Sequence, residues 1–274
     1  MLAALSLSSC QDVIDLDLKK GAVELVVDGM LDNSSAKPDT IYLKWTADYF
    51  SNKALPVAAG ASVEVNDGLT TFTFAETAEG SGKYVNTLFV GEIGKNYTLN
   101  VKNLKGYGFD NETFTATSTI KRVPPIDSLV AELRDDTGLE KAGYYIRYYG
   151  PEFLGRGDYY RFKVYVNDTL LNQPTDLSFV NDQFVDGNYI SGPEMISEPS
   201  KEGDVVKVET LSITEDTYKF YLELQGQIFN GGLFSSPFSN VRTNVVNTNP
   251  KSDKKGVGFF RCSGLSEATV TCKK

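Results

Sequence analysis

The chain contains no histidine. That absence excludes Ser-His and Cys-His nucleophile pairs, His-ligated zinc and imidazole proton shuttles, and it removes the commonest general base. Cysteine occurs three times in 274 residues and tryptophan once. No apolar run reaches the roughly 18 residues that a membrane-spanning helix needs. Nor does any tract of clustered Lys or Arg appear, so a phosphate backbone finds no partner surface and nucleic acid is excluded. The net charge of −9 serves mainly solubility. Carboxylate-pair hydrolysis survives these exclusions as chemistry, but it requires two buried carboxylates facing each other in one cleft. The chain is read as a non-enzyme with no cofactor and no metal.

What is present favours strands. Sixteen Phe, 15 Tyr and 24 Gly suit pleated surfaces and turns more than helices. The length allows one large or two modest domains. In the first half, "AVELVVDGML" (22–31) reads as a strand broken at Asp28-Gly29 by a bulge or turn. "TIYLKWT" follows with alternating faces, and "ASVEV" and "LTTFTFA" flank the hairpin signal Asn66-Asp67-Gly68. "YTLNV" and "TFTATSTI" continue the period of two. Pro124-Pro125 cannot continue a central strand and marks a boundary. Beyond it come further strands and one helix, 214–228, with Thr214 as N-cap and Glu215 and Asp216 in its first turn. The predicted fold is mainly β, with two β-sandwich (immunoglobulin-like) domains at 22–122 and 123–274, the second carrying the helix.

The first nine residues, "MLAALSLSS", form an apolar leader ending in small residues, as a secretory signal does, although the basic opening segment is missing. The leader is therefore read as the remnant of a longer signal. Leu7-Ser8-Ser9-Cys10 resembles a bacterial lipobox, in which cleavage precedes the cysteine and acyl chains such as palmitate anchor it. Residues 10–21 then form a tether. Its Asp12, Asp15 and Asp17 resemble the surface-export signal of Bacteroidetes-type lipoproteins. The alternative is an ordinary thiol in a short N-terminal strand.

Cys10 with "DVIDLDL", "ELVVDGML", "DYYRFKVYVND", "FVNDQFVDGNYI", "EGDVVKVETLSITEDTYKFYLEL", "SPFSNVRTNV" and "GVGFF" together resemble domain of unknown function 4249. This is a lipoprotein family of Bacteroidetes-type bacteria. The likeness spans nearly the whole mature chain and carries no catalytic or binding residues. Members are commonly encoded beside TonB-dependent outer-membrane receptors, which implies an accessory role in nutrient uptake at the outer membrane, on its surface or its periplasmic face. The alternative is a structural or adhesive envelope lipoprotein with no transport role. Cys262 and Cys272 fall outside the family pattern.

Two aromatic strands form the leading candidate for a partner- or ligand-binding surface. In "GYYIRYYG", Tyr145, Arg147 and Tyr149 share a face. In "DYYRFKVYV", Tyr159, Arg161, Lys163 and Tyr165 share one, leaving Tyr160, Phe162, Val164 and Val166 for the core. If the strands pair, Tyr and Arg form one exposed patch suited to a sugar, peptide or protein, the bland alternative being cross-strand packing on a solvated face. Asn181, Asp182, Asp186, Gly187 and Asn188 offer oxygen ligands for Ca²⁺ in a spacing that is not an EF-hand, and equally suit tight turns. Phe229, Phe234 and Phe238 either cap the sandwich or dock a partner. The N-x-S/T matches at Asn96, Asn111 and Asn167 are discounted for a bacterial lipoprotein. With Cys10 committed to lipid, Cys262 and Cys272 are expected to form a disulfide across a hairpin turning near Gly264 and Ser266. Two independent buried thiols are the competing account.

Overall fold

The computed structural model describes residues 21–48, 51, 53–230 and 239–274. The leader, Cys10, the acidic tether, Phe234 and Phe238 lie outside the described residues. The first half holds β1 (Leu25–Asp32), β2 (Asp39–Trp45), β3 (Ser62–Asn66), β4 (Thr71–Glu76), β5 (Lys83–Asn86), β6 (Asn96–Lys102) and β7 (Phe114–Thr119). Then follow β8 (Ser128–Arg134), β9 (Gly143–Pro151), β10 (Tyr159–Val166), β11 (Thr169–Leu170), β12 (Ser178–Asn181), β13 (Tyr189–Glu194) and β14 (Val205–Ile213). Helix α1 (Glu215–Ile228), β15 (Val246–Asn247), β16 (Gly256–Ser263) and β17 (Leu265–Thr271) complete the order. Among the described residues the chain adopts the expected mainly-β class with one α-helix.

Alternation sets the inward face of each strand. Leu25, Val27 and Leu31 of β1 point inward with Ile41, Leu43 and Trp45 of β2, and Val63, Val65, Leu99, Val101 and Phe114 complete the same core. The nine-stranded sheet runs β15-β7-β6-β3-β4-β5-β2-β1-β16. It rolls until its ends approach: the Cys262 amide of β16 donates to Ser118 Oγ of β7 at 2.9 Å. Asn244 spans the same gap, donating to the Thr117 and Phe260 carbonyls at 3.0 and 2.8 Å. The result is a near-barrel. Gly29 lies within a continuous β1 instead of at a bulge or turn, because a Cβ there would stand 3.0 Å from the Phe260 ring packed across it.

In the second half, β11-β10-β14-β17, with β12 also on β10, face a sheet of β13-β9-β8. Tyr144, Ile146, Val164, Val206, Val208 and Cys272 fill the space between them, joined by Phe162 and Val166. The core-directed set read from β10 is therefore correct. Thr214 caps α1, its Oγ1 accepting from the Thr217 amide at 3.2 Å.

Pro124-Pro125 does not divide the sheets. β15 and β16, from the far end of the chain, complete the first sheet, with β16 parallel to β1 from Leu25↔Gly256 to Asp32↔Ser263. All other ladders among the described residues are antiparallel. After Ser263 the chain passes through Gly264 directly into β17, which pairs with β14 in the other sheet.

This passage overturns the expected Cys262–Cys272 disulfide. No hairpin forms: the two strands run on in different sheets, and ten residues of extended chain span roughly 30 Å, against a Cα limit of about 7 Å for a bridge. Cys262 belongs to the near-barrel core and Cys272 to the sandwich core, both as free thiols. Burial pushes both thiols above their ordinary pKa, which makes them inert in the native state.

Unreduced protein unfolded in denaturant should therefore take thiol label on both Cys262 and Cys272, while the native chain labels neither; one unlabelled pair after unfolding would restore the disulfide. Gly264 offers a second check. A Cβ there would sit 2.7 Å from the Lys121 carbonyl and 3.1 Å from Ser212 Oγ. Gly264→Ala should cost about 2–3 kcal/mol in denaturant melts. Gly226→Ala, in α1 with nothing within 4 Å of its Cβ, should stabilise by about 0.5–1 kcal/mol.

Candidate functional site

The two aromatic strands do not pair. β9 lies between β8 and β13, while β10 runs in an eight-residue register with β14, Tyr159↔Ile213 to Val166↔Val206. The segment between them crosses from one sheet of the sandwich to the other, so their polar faces point to opposite outer sides. On β9 the expected face exists but is braced. Tyr145 is buried, its hydroxyl donates to the Lys141 carbonyl at 3.0 Å, and the Arg134 guanidinium stacks 4.2 Å from its ring centroid. Arg147 Nε donates to Glu132 at 2.8 Å and Nη1 to the Gly192 carbonyl at 2.9 Å, with Tyr149 beside Gly192. The single exposed patch of Tyr145, Arg147, Tyr149, Arg161 and Tyr165 is thus replaced by two separate surfaces.

The β10 face is the more unusual, because it turns away from its own sandwich core toward the near-barrel. Tyr159 packs on Tyr218 of α1. Arg161 donates to the Tyr221 hydroxyl and lies 4.7 Å from that ring's centroid. Arg261, from β16, approaches the same ring at 5.8 Å and donates to Asp28 of β1. Phe220 of α1 packs on Phe259 at 4.8 Å. Helix α1 is therefore wedged between the sheets, its apolar stripe meeting β16 on one side and β10 on the other.

Further along the seam, Glu209 of β14 is fully buried. Its Oε1 accepts from Lys37 at 3.2 Å and Lys207 at 2.9 Å, and its Oε2 accepts from the Tyr165 hydroxyl at 3.1 Å. Burial opposes its ionisation, yet Lys207, Lys37 and Lys163 outweigh that and hold the carboxyl below its usual range. Lys163 stands opposite Glu209 in the ladder but makes no hydrogen bond or ion pair among the described residues. Burial pushes its ammonium down to about 8, with Arg161 adding to the effect and Glu209 opposing it.

Asp32 and Asp39, at the turn between β1 and β2, are both buried. The Asp32 amide donates to Asp39 Oδ1 at 2.9 Å, and Asp32 accepts from the Ser34 amide at 2.8 Å. Burial, reinforced by Asp32, pushes the Asp39 carboxyl up to about 8. At 3% and 4% exposure the pair has no room for a substrate and acts as a turn brace. The 181–188 loop resolves likewise toward turn chemistry. Asp182 Oδ2 accepts from the Gly157 and Asp158 amides at 2.8 and 3.1 Å, and Asp186 Oδ1 from the Gly155 amide at 2.7 Å. Phe229 is the C-cap residue of α1 and more than half exposed.

Reading the sequence for sites missed Tyr221, Glu209 and Arg261. Alternation does place Glu209 and Arg261 opposite the apolar positions of their strands, which marks them as outward. What covers that outward face comes from far along the chain, and no local pattern announces it.

A family model described as Domain of unknown function (DUF4249) matches residues 11–269, nearly the whole chain. Comparison with curated proteins gives no match.

The Asp39 carboxyl supplies a pH test. Folded, it keeps its proton to about pH 8, whereas an unfolded aspartate releases it near about 4. Between these values the folded state binds more protons, so stability is full below the unfolded value and is lost as pH rises through the folded one. Each pH unit in that window removes up to about 1.4 kcal/mol. Asp39→Asn keeps the acceptor for the Asp32 amide and removes the titration. Urea melts at about pH 5 and about pH 8 should therefore show a smaller loss for the variant; equal losses in both proteins refute the assignment.

Proposed function

Since the chain belongs to the family described as Domain of unknown function (DUF4249), we propose that it is a noncatalytic lipoprotein of the outer membrane, anchored at Cys10, that serves a TonB-dependent receptor in nutrient uptake. The observation that carries this reading is the coincidence of two boundaries. The lipobox-like Leu7-Ser8-Ser9-Cys10 ends at residue 10, and the matched region opens at residue 11. Among the described residues the first strand begins at Leu25, and the stretch 10–21 is read from its sequence as a tether. More than one acyl chain on the cysteine makes such anchoring stable where a single chain would be marginal. The resemblance to lipoproteins encoded beside receptors supplies the partner. The half-buried Arg161 and Tyr165 of β10 support a binding role, since Tyr and Arg are enriched in binding hot spots, whereas Tyr221 is buried behind them.

Cys10→Ala should move the protein from the membrane fraction to the soluble one without changing its melting temperature, and mass spectrometry should find acyl chains on the parent Cys10. Affinity capture from detergent-solubilised membranes should bring down a TonB-dependent receptor at near-equal amount. A variant that stays in the membrane fraction ends the anchor reading, and capture without any such receptor ends the uptake reading.

A further inference from the structure

We propose that the seam between the near-barrel and the sandwich, lined by Arg161, Lys163, Arg261 and Tyr221, binds the oxyanion group of a small ligand, a phosphate or a carboxylate. This deepens the binding reading above by naming the ligand chemistry, and it rests on the seam being a binding surface but not on the anchor or the receptor.

Three observations converge there. First, Lys163 is a half-buried ammonium without an acceptor: the carboxylate opposite it, Glu209, already accepts from Lys37, Lys207 and Tyr165. Second, the guanidinium groups beside it are incompletely used. Arg161 donates to Tyr221 and Arg261 to Asp28, but the Nε atoms of both are buried with no acceptor. Third, the charges do not balance locally. Arg161, Lys37 and Arg261 act on Lys163 against Glu209, and Asp28, the partner of Arg261, has a side chain that is 61% exposed.

Elementary costs show why this is an unfinished site. A buried donor left unpaired costs about 1–3 kcal/mol, more when charged, and clustered like charges raise the cost further. A chain selected for stability alone would place an apolar residue at position 163. An oxyanion supplies what is missing: several lone pairs for two guanidinium N–H groups and an ammonium, and negative charge among three cations. The Tyr221 ring forms the wall of the site and orients both guanidinium groups by stacking. The chain's net charge of −9 argues against a polyanion, so the ligand is small.

The test uses the purified full chain in low-salt buffer at about pH 7, titrated calorimetrically with inorganic phosphate, with citrate, and with glucose as a neutral control. Phosphate or citrate should bind at one site with submillimolar Kd and glucose should not. The tighter of the two identifies the oxyanion source. Lys163→Gln should weaken that binding at least about tenfold, roughly the loss of 1.4 kcal/mol, while leaving the melting temperature of the free protein unchanged or higher. Arg161→Gln should weaken it likewise.

A second readout separates binding from a merely structural role. The charged groups that act on Lys163 are Arg161 on its own strand, Glu209 on β14, Asp32 at the end of β1, Lys37 from the β1–β2 turn and Arg261 on β16. An added anion makes this setting more favourable to the ammonium, so binding at about pH 8.5 should take up protons, read from titrations in two buffers of different ionisation enthalpy. Lys163→Gln should abolish that uptake. Absence of heat with both anions up to about 10 mM would mean that water fills the seam, and it overturns the proposal. Binding of equal strength in Lys163→Gln overturns it as well. Neither result touches the anchor, which fractionation of Cys10→Ala decides separately.

Discussion

Everything in this molecule hangs on the point where residues 263–265 cross from one sheet to the other. The Gly264 amide donates to Ser212 Oγ at 2.8 Å, and Ser212 Oγ in turn donates to the Lys121 carbonyl at 2.7 Å. The Ser212 amide donates back to the Gly264 carbonyl at 2.9 Å, and the Leu265 amide donates to Asn33 at 2.8 Å. Four segments distant in sequence meet in this knot: the β1–β2 turn, the connector after β7, the end of β14 and the β16–β17 passage. Buried backbone groups must be paired, and here each pairing also ties one layer to another. A side chain at position 264 would force the knot apart, and glycine is the residue that admits the approach.

The seam next to the knot follows from the same constraint. Once β16 and β17 belong to different sheets, the outer faces of β1 and β16 must lie against the outer faces of β10 and β14. Those faces carry the polar half of each alternation, so the junction is built from charges and aromatic rings instead of an apolar core. The aromatic layer of Phe220, Tyr221 and Phe259 supplies the apolar contact that such a junction otherwise lacks. Charged pairs buried in this way are weak evidence for stability; their stronger effect is to set which faces meet.

Strand existence and facing were legible because they depend on a period of two written locally. Tyr160, Phe162, Val164 and Val166 turn inward as their alternation requires, and Asn66-Asp67-Gly68 makes its hairpin between Val65 and Phe72. The Thr214 cap was equally local. What could not be read was partnership. The register of β1 with β16 links residues 25–32 to 256–263, and nothing near either end encodes it. The same gap explains the misplaced patch, since alternation orders Tyr145, Arg147 and Tyr149 on β9 but does not say that β10 belongs to the opposing sheet. Two cysteines close in sequence suggested a loop, whereas an extended chain passing between layers separates them by its full length.

Because β16 completes the first sheet and β17 closes the flank of the second, the last of the described strands are needed by both halves. A chain emerging in order, from a ribosome or through a membrane channel, therefore has neither layer finished until residues 256–271 are free. Long-range pairing of this kind is slow to form, and β1 waits with one edge open until β16 is made. Such lateness keeps both layers pliable until that stretch is free, and then closes them together.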